Sequence, residues 1–272
     1  MRVHPIKFLY SLVIISGVCI KKLSAQIINA DTVKILAAVS KKTIDYRSSV
    51  IASNVVFPES LEGSREQALD YVEKFSDKKR NYLLRIYETG KKYFPKISVV
   101  LRQYKLPEEL KVLIALESGF SANAVSKAGA VGYWQLMDVA AKEYGLQIAN
   151  KDERKNFSKS TLAAVKYLRD RKLNLNNDLL LMVASYNCGV GTIKNAIRKC
   201  HKTDPGFWDI KNLLPAETRN YVMNFIALNV IFNNYENFVK EQLLFKSKEV
   251  YKIPFQIFKY NNTLPSENLK ID

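Results

Sequence analysis

Residues 106–137 read LPEELKVLIALESGFSANAVSKAGAVGYWQLM, and the rest of the chain is organised around them. Leu106 and Pro107 followed by Glu108 and Glu109 make a helix start. Proline at the first helical position gives up no needed donor, and the two acids complement the positive end of the helix dipole. Gly119 supplies the stop, because a helix closes readily on a left-handed residue and glycine takes that conformation without penalty. Glu117 then lies close to the C-terminal end. Counting back at helical spacing puts it on one face with Ile114, Leu113 and Leu110, away from Lys111. An acid on an apolar face near the negative end of the dipole is disfavoured in its charged form twice over. Its pKa is expected above the ordinary value of about 4.3, as a proton donor working near neutrality requires. The competing account is a structural Glu paired with one of the many Lys and Arg residues. On position alone the two readings stand level.

The residues after the helix favour the first. Ser118 and Ser126, Gly129 and Gly132, and then Tyr133, Trp134 and Gln135 form a small-residue loop ending in aromatic and amide groups. Such a loop lets backbone approach a ligand, while ring and amide offer stacking and hydrogen bonds to a sugar. Trp134 is read as core more readily than as a sugar platform, since large aromatics are usually buried.

ALESGF at 115–120, SKAGAVGYWQLM at 126–137, ASYNCGVG at 184–191 and LPAETRNYV at 214–222 occur in an order and at spacings that resemble the lytic murein transglycosylases with the goose-type lysozyme fold. The membrane-bound type-D branch is the nearest. The resemblance covers roughly residues 70 to 235. It implies an all-α, lysozyme-like catalytic domain preceded by a helical N-terminal arm. It also implies cleavage of the β-1,4 bond between N-acetylmuramic acid and N-acetylglucosamine in peptidoglycan, with a single acid, Glu117, acting first as general acid and then as base to leave a 1,6-anhydro end. Ser126 and Gln135 fall where the family places side chains near the reacting sugars, with Met137 on the groove wall. Tyr186 and Asn187 come from the third motif, with Tyr186 expected beside Glu117. Glu217, from the fourth, faces the groove or pairs with Arg219; both remain open. Ser118 is expected to orient the acid. Tyr133 and Ser185 stand where relatives commonly carry Leu and Ala.

The other acids do not compete. A two-carboxylate glycosidase needs its pair about 5 to 9.5 Å apart, and Asp138, Glu143, Asp152 and Glu217 all lack the apolar face that Glu117 has. Only His4 and His201 occur and there is no CxxC, so no metal, no cofactor and no His-based nucleophile is expected. Cys188 and Cys200 are read as free, buried thiols.

Residues 1–25, with Arg2, His4 and Lys7 ahead of an apolar run from Phe8 to Ile20, read as a signal peptide. A site of lipidation at Cys19 is a minor alternative. Residues 26–66 are an arm or linker, 67–240 the catalytic domain with its leading helices, and 241–272 a tail. Apolar residues at helical spacing (Leu69, Val72, Phe75; Leu83, Leu84, Ile86, Tyr87) predict helices before the acid, and further helices follow it at Val139–Tyr144, Thr161–Lys172, Asp178–Asn187, Thr192–Lys199 and from Pro215 to about Tyr235.

A net charge of +16 over 272 residues suits an exported protein held at anionic envelope polymers such as peptidoglycan. Nucleic acid is excluded as partner by the export signal and by lysines spread along the chain. The expected setting is the periplasm or cell envelope, as a monomer, with peripheral membrane association left open. A hydrolytic muramidase on the same fold, and a non-catalytic glycan-binding protein that has kept it, are the alternatives.

Overall fold

The computed structural model describes residues 48–246 and 248–251. The signal peptide and Cys19, most of the arm and most of the tail lie outside the described residues. The chain divides into two units, and all that follows concerns the larger, Ile51–Lys248, apart from one short pairing: strands β1 (Ser48–Ile51) and β2 (Lys248–Tyr251) form a two-stranded sheet.

The larger unit is helical, as the periodicity predicts. Two helices form its centre. In α6 (Leu179–Cys188) every residue from Leu180 to Ser185 is buried, and in α9 (Ala216–Asn233) burial is unbroken from Phe225 to Ile231. Helices apolar all round belong inside a core. The others are amphipathic and cover them. α1 (Arg65–Lys78) buries Ala68 and Val72 and packs along α9. α2 (Arg80–Gln103) buries Leu83, Ile86, Gly90, Phe94, Ile97 and Leu101, one stripe at helical period. α3 (Leu113–Ser118) carries the acid, and α4 (Asp138–Glu143), α5 (Phe157–Asn174), α7 (Val190–Lys199), α8 (Phe207–Ile210) and α10 (Tyr235–Val239) complete the body. Side chains start the two helices most important to the site. Asp178 accepts from Leu181 N at 2.8 Å at the head of α6, and Asn156 accepts from Lys159 N at 3.0 Å at the head of α5.

The structure departs from the sequence reading in several places. α2 is one helix running through Pro95, where two segments were expected. Proline there removes one internal hydrogen bond, and the helix continues because its apolar stripe is buried on both sides of it, at Phe94 and at Ile97. Gly90 is required in this helix, since a Cβ would meet the Phe94 ring at 2.2 Å. The acid's helix does not start on Pro107 as its first residue. Pro107, extended at ψ 136°, precedes a 3-10 turn, Glu108–Val112, which passes directly into α3. Cys188 and Cys200 are free but only half-buried. The end of the stretch read as an arm is built into the core, with Val55, Phe57 and Leu61 all below 5% exposed.

That N-terminal stretch is fastened by a side chain. Asn234, buried just after α9, accepts from Val56 N at 2.9 Å and donates to Val56 O at 2.6 Å and Val230 O at 2.7 Å. No helix among the described residues is long and apolar enough to cross a membrane. Asn234→Ala leaves the Val56 amide without its partner and is expected to lower unfolding free energy by about 1–3 kcal/mol in chemical denaturation.

Candidate active site

Glu117 sits in the last turn of α3. Its helical neighbours Leu110, Leu113 and Ile114 are fully buried, while Glu117 itself is half-buried, so its carboxyl has an apolar floor and an open side. Gly119 ends the helix at φ 57°, and Phe120 continues the left-handed turn at φ 69°. A bulky residue there is strained. Burial offsets the strain: Phe120 is 6% exposed, stacks on Tyr93 at 5.1 Å and meets Phe94 edge-on at 5.6 Å.

Tyr221, from α9, donates its hydroxyl hydrogen to Glu117 Oε1 at 2.5 Å. Burial raises the Glu117 pKa from the ordinary 4.5 to about 7, and the Tyr221 hydrogen bond opposes that rise in part. Neither cause is a second carboxylate. Burial and the adjacent Glu117 charge in turn push the hydroxyl pKa values of Tyr221 and Tyr186 well above the usual phenol range. Both tyrosines therefore stay neutral donors at any working pH. Tyr167 packs edge-on against Tyr186 at 5.3 Å behind them.

The loop from Ala124 to Met137 forms a wall. Val125, Val131 and Leu136 meet in isolated antiparallel bridges, and side chains anchor the turn to every neighbour. Ser118 Oγ donates to Tyr133 O at 2.7 Å, tying the wall to α3. Tyr186 donates to Trp134 O at 2.7 Å, tying it to α6. Trp134 is fully buried and donates through Nε1 to Thr161 of α5 at 3.0 Å, so it is core. Arg154, itself buried, donates to Leu136 O at 3.2 Å and pairs with Asp138 at 2.5 Å and Asp152 at 2.8 Å. Gly132, at φ 82°, lies so close to this segment that a Cβ would come within 2.2 Å of Arg154 O.

Several residues expected at the sugars already have side-chain atoms committed within the protein. Ser126 Oγ accepts from Ala130 N at 3.0 Å within its own turn. Gln135, at φ 47°, donates Nε2 to Ala124 O at 3.0 Å and Gly132 O at 2.9 Å, which leaves its Oε1 as the uncommitted end. Asn187 Oδ1 accepts from Thr218 at 2.8 Å, joining α6 to α9 less than one turn before Tyr221. Met137 is 46% exposed at the end of the wall. Glu217 is exposed, and Arg219 donates to Leu214 O at 2.6 Å rather than to it. Of the weaker acids, Asp138 and Asp152 are taken up by Arg154. No cluster of metal-ligating side chains occurs among the described residues.

Tyr221 is absent from the residues singled out by sequence. It stands inside the fourth motif, one turn after Glu217, and that position was the available signal. Its partner lies across the helix pair, in a segment far away along the chain.

The comparisons with known proteins bear on this arrangement, an acid on an apolar floor whose neighbour Ser118 is tied to the loop from Ala124 to Met137. Residues 98–206 match the family model described as Transglycosylase SLT domain. The membrane-bound lytic murein transglycosylase D of Escherichia coli (strain K12) is 33% identical over 173 residues, covering 62% of this chain. The match spans only 37% of that protein's own length. Among solved structures, lytic transglycosylase Slt of Pseudomonas aeruginosa aligns at a TM-score of 0.45 and 20% identity, over 58% of this chain and 27% of that one. The 70 kDa soluble lytic transglycosylase of Escherichia coli aligns at 0.45 and 16%, over 63% and 30%.

The raised pKa of Glu117 has a stability signature. Between pH 4.5 and about 7 the unfolded chain releases the Glu117 proton while the folded chain keeps it, so this group lowers stability as pH rises through that window and has no further effect above it. Glu117→Gln removes the effect. The melting-temperature gain of the variant over the parent is expected to be smallest below pH 4.5, to grow up to about pH 7 and then to level off; a gain independent of pH contradicts the assignment.

Proposed function

We propose that this protein is an exported lytic transglycosylase of peptidoglycan with Glu117 as its only catalytic carboxyl. The observation that carries the reading is the pairing of that half-buried acid, raised to about 7, with a neutral hydroxyl donor on one oxygen. Since Tyr221 occupies Oε1, Oε2 holds the transferable proton. Glu117 gives it to the glycosidic oxygen between N-acetylmuramic acid and N-acetylglucosamine as that bond breaks. The substrate's 2-acetamido oxygen assists at the anomeric carbon. The resulting Glu117 carboxylate, now favoured by the Tyr221 hydrogen bond, removes the proton of the muramyl 6-hydroxyl, whose oxygen closes the 1,6-anhydro ring without water. One group must lose and regain a proton within a turnover, so a pKa close to ambient pH serves both halves.

The uncommitted Oε1 of Gln135, together with Met137 at the rim, offers contact to the strand, while Ser118, Tyr186 and Asn187 keep acid, wall and Tyr221 in register. Residues 67–240 are on this reading the catalytic domain. The names of the relatives, a murein transglycosylase that is membrane-bound among them, support an envelope location, as does a net charge of +16 against anionic wall polymer.

Digestion of purified sacculi followed by mass spectrometry is expected to give muropeptides lighter by one water than a hydrolase would give. Reducing ends alone would assign the muramidase reaction instead. Glu117→Gln is expected to lower the rate by about 10² to 10⁴-fold, the usual worth of a positioned general acid. Tyr221→Phe deletes the bond that holds the Glu117 pKa down, so the alkaline limb of the pH–rate profile is expected to move to higher pH. An unmoved limb would remove Tyr221 from the acid's control.

A further inference from the structure

The charges on α1 are sorted by face. Glu66, Asp70, Glu73 and Asp77 follow one another at spacings of four, three and four, forming an acidic stripe. Lys246 pairs with Asp70 at 3.1 Å and with Glu73 at 3.7 Å on that side. Tyr71, Lys74 and Lys78 occupy a second stripe at the same helical period, with Lys79 just beyond the helix end. This second stripe faces α9 across a cavity of about 440 Å³, whose opposite side is made by Asn220 and Asn224, one turn apart. No acidic residue lines the cavity, and among the described residues none of its lysines is ion-paired.

One further contact orients it. Tyr71 donates its hydroxyl hydrogen to Asn224 Oδ1 at 2.7 Å. With its oxygen satisfied there, Asn224 turns its donor nitrogen away from Tyr71, and that nitrogen has no protein acceptor among the described residues. Three lysines and two asparagines thus line the cavity beside the rings of Tyr71 and Phe75, with no carboxylate among them, a chemistry that can receive a carboxylate.

Its position gives the ligand. At about 100° per residue, the Asn220 and Asn224 pair lies about 80° around α9 from Tyr221. Tyr221 is the residue bonded to the acid, so the cavity and the acid's partner stand about a quarter turn apart on the same helix.

We propose that this cavity binds a free carboxylate of the peptide stem carried by the muramyl residue being cleaved, with Lys74, Lys78 and Lys79 supplying charge and Asn224 the oriented hydrogen bond. This rests on the transglycosylase reading above. It makes the protein selective for strands that still bear stems, and it sets that preference on α1 and α9 rather than on the wall around Gln135.

The test uses the full chain and two readouts. In the first, initial rates are compared on sacculus glycan strands with stems and on the same strands stripped by an amidase. Replacing Lys74, Lys78 and Lys79 together by Gln is expected to lower kcat/KM about 10-fold on stem-bearing strands, the worth of two or three solvent-facing charge contacts, and to leave stripped strands unchanged. Asn224→Ala is expected to act in the same direction. Lys194, Lys199 and Lys240, changed together to Gln elsewhere on the surface, remove equal charge and are expected to spare the stem preference. Equal losses on both substrates, or an equal loss in the control triple, overturn the proposal in favour of general charge attraction. The second readout does not need turnover. The purified stem peptide is titrated into Glu117→Gln protein, with its free carboxyls intact or converted to amides. Binding of the carboxylate form only, lost in the lysine triple, supports the site; equal binding of both forms, or of neither, refutes it. If the parent chain cleaves neither strand, the transglycosylase reading fails by itself, and the titration still decides whether the cavity takes a carboxylate.

Discussion

The hydrogen bond between Tyr221 and Glu117 is the contact on which the site depends. It bridges α3, a helix of under two turns, to α9, one of the two helices at the centre of the body. A carboxyl in an apolar pocket tends to keep its proton so firmly that it would act only as an acid. A lone oriented hydroxyl corrects this without adding charge, because a phenol whose own pKa is pushed up cannot neutralise or repel its partner. The balance between burial and this one donor leaves the acid near neutrality. A lysine or arginine in the same place would have taken the carboxyl into the ordinary ionised range.

The neighbours serve that pair by fixing where it stands. Asn187 and Thr218 lock α6 to α9, Tyr186 and Ser118 hold the wall by its backbone carbonyls, and Arg154 secures the far side through two aspartates. Polar side chains thus bond inward to the scaffold rather than outward to solvent, which is how a loop of small residues can be a rigid surface. Two non-glycine residues with positive φ, Phe120 and Gln135, flank the acid and stand in its wall.

Much of this was legible in the residues. The apolar face beneath Glu117, its stop at Gly119, the helical character of the body and the burial of Trp134 followed from spacing and residue type. What could not be read is of one kind. Pairing across helices depends on which faces meet, and periodicity gives a face without its partner. Tyr221 lay in plain view inside a motif, yet only the packing of α9 on α3 shows that its hydroxyl reaches the acid. Likewise Asn187 is legible as polar and near the site, but its bond to Thr218 is not. The continuity of α2 through Pro95 escaped for the opposite reason. A strong local rule predicts a break there, and burial along the whole stripe outweighs it. The β-branched, Ser-rich character of residues 52–66 hid Val55, Phe57 and Leu61, whose burial is a property of the surface they land on.

α9 is buried without interruption over residues that pack against several helices at once, and it carries the acid's hydrogen-bond donor near its other end. Any repacking that rotates or slides this rod, even by a fraction of the rise between successive residues, moves the phenol relative to the carboxyl. Ionisation of a single side chain is in that sense a gauge of core order. Substitutions many ångströms away that preserve the fold will be felt first as altered proton affinity, long before helix content or compactness changes.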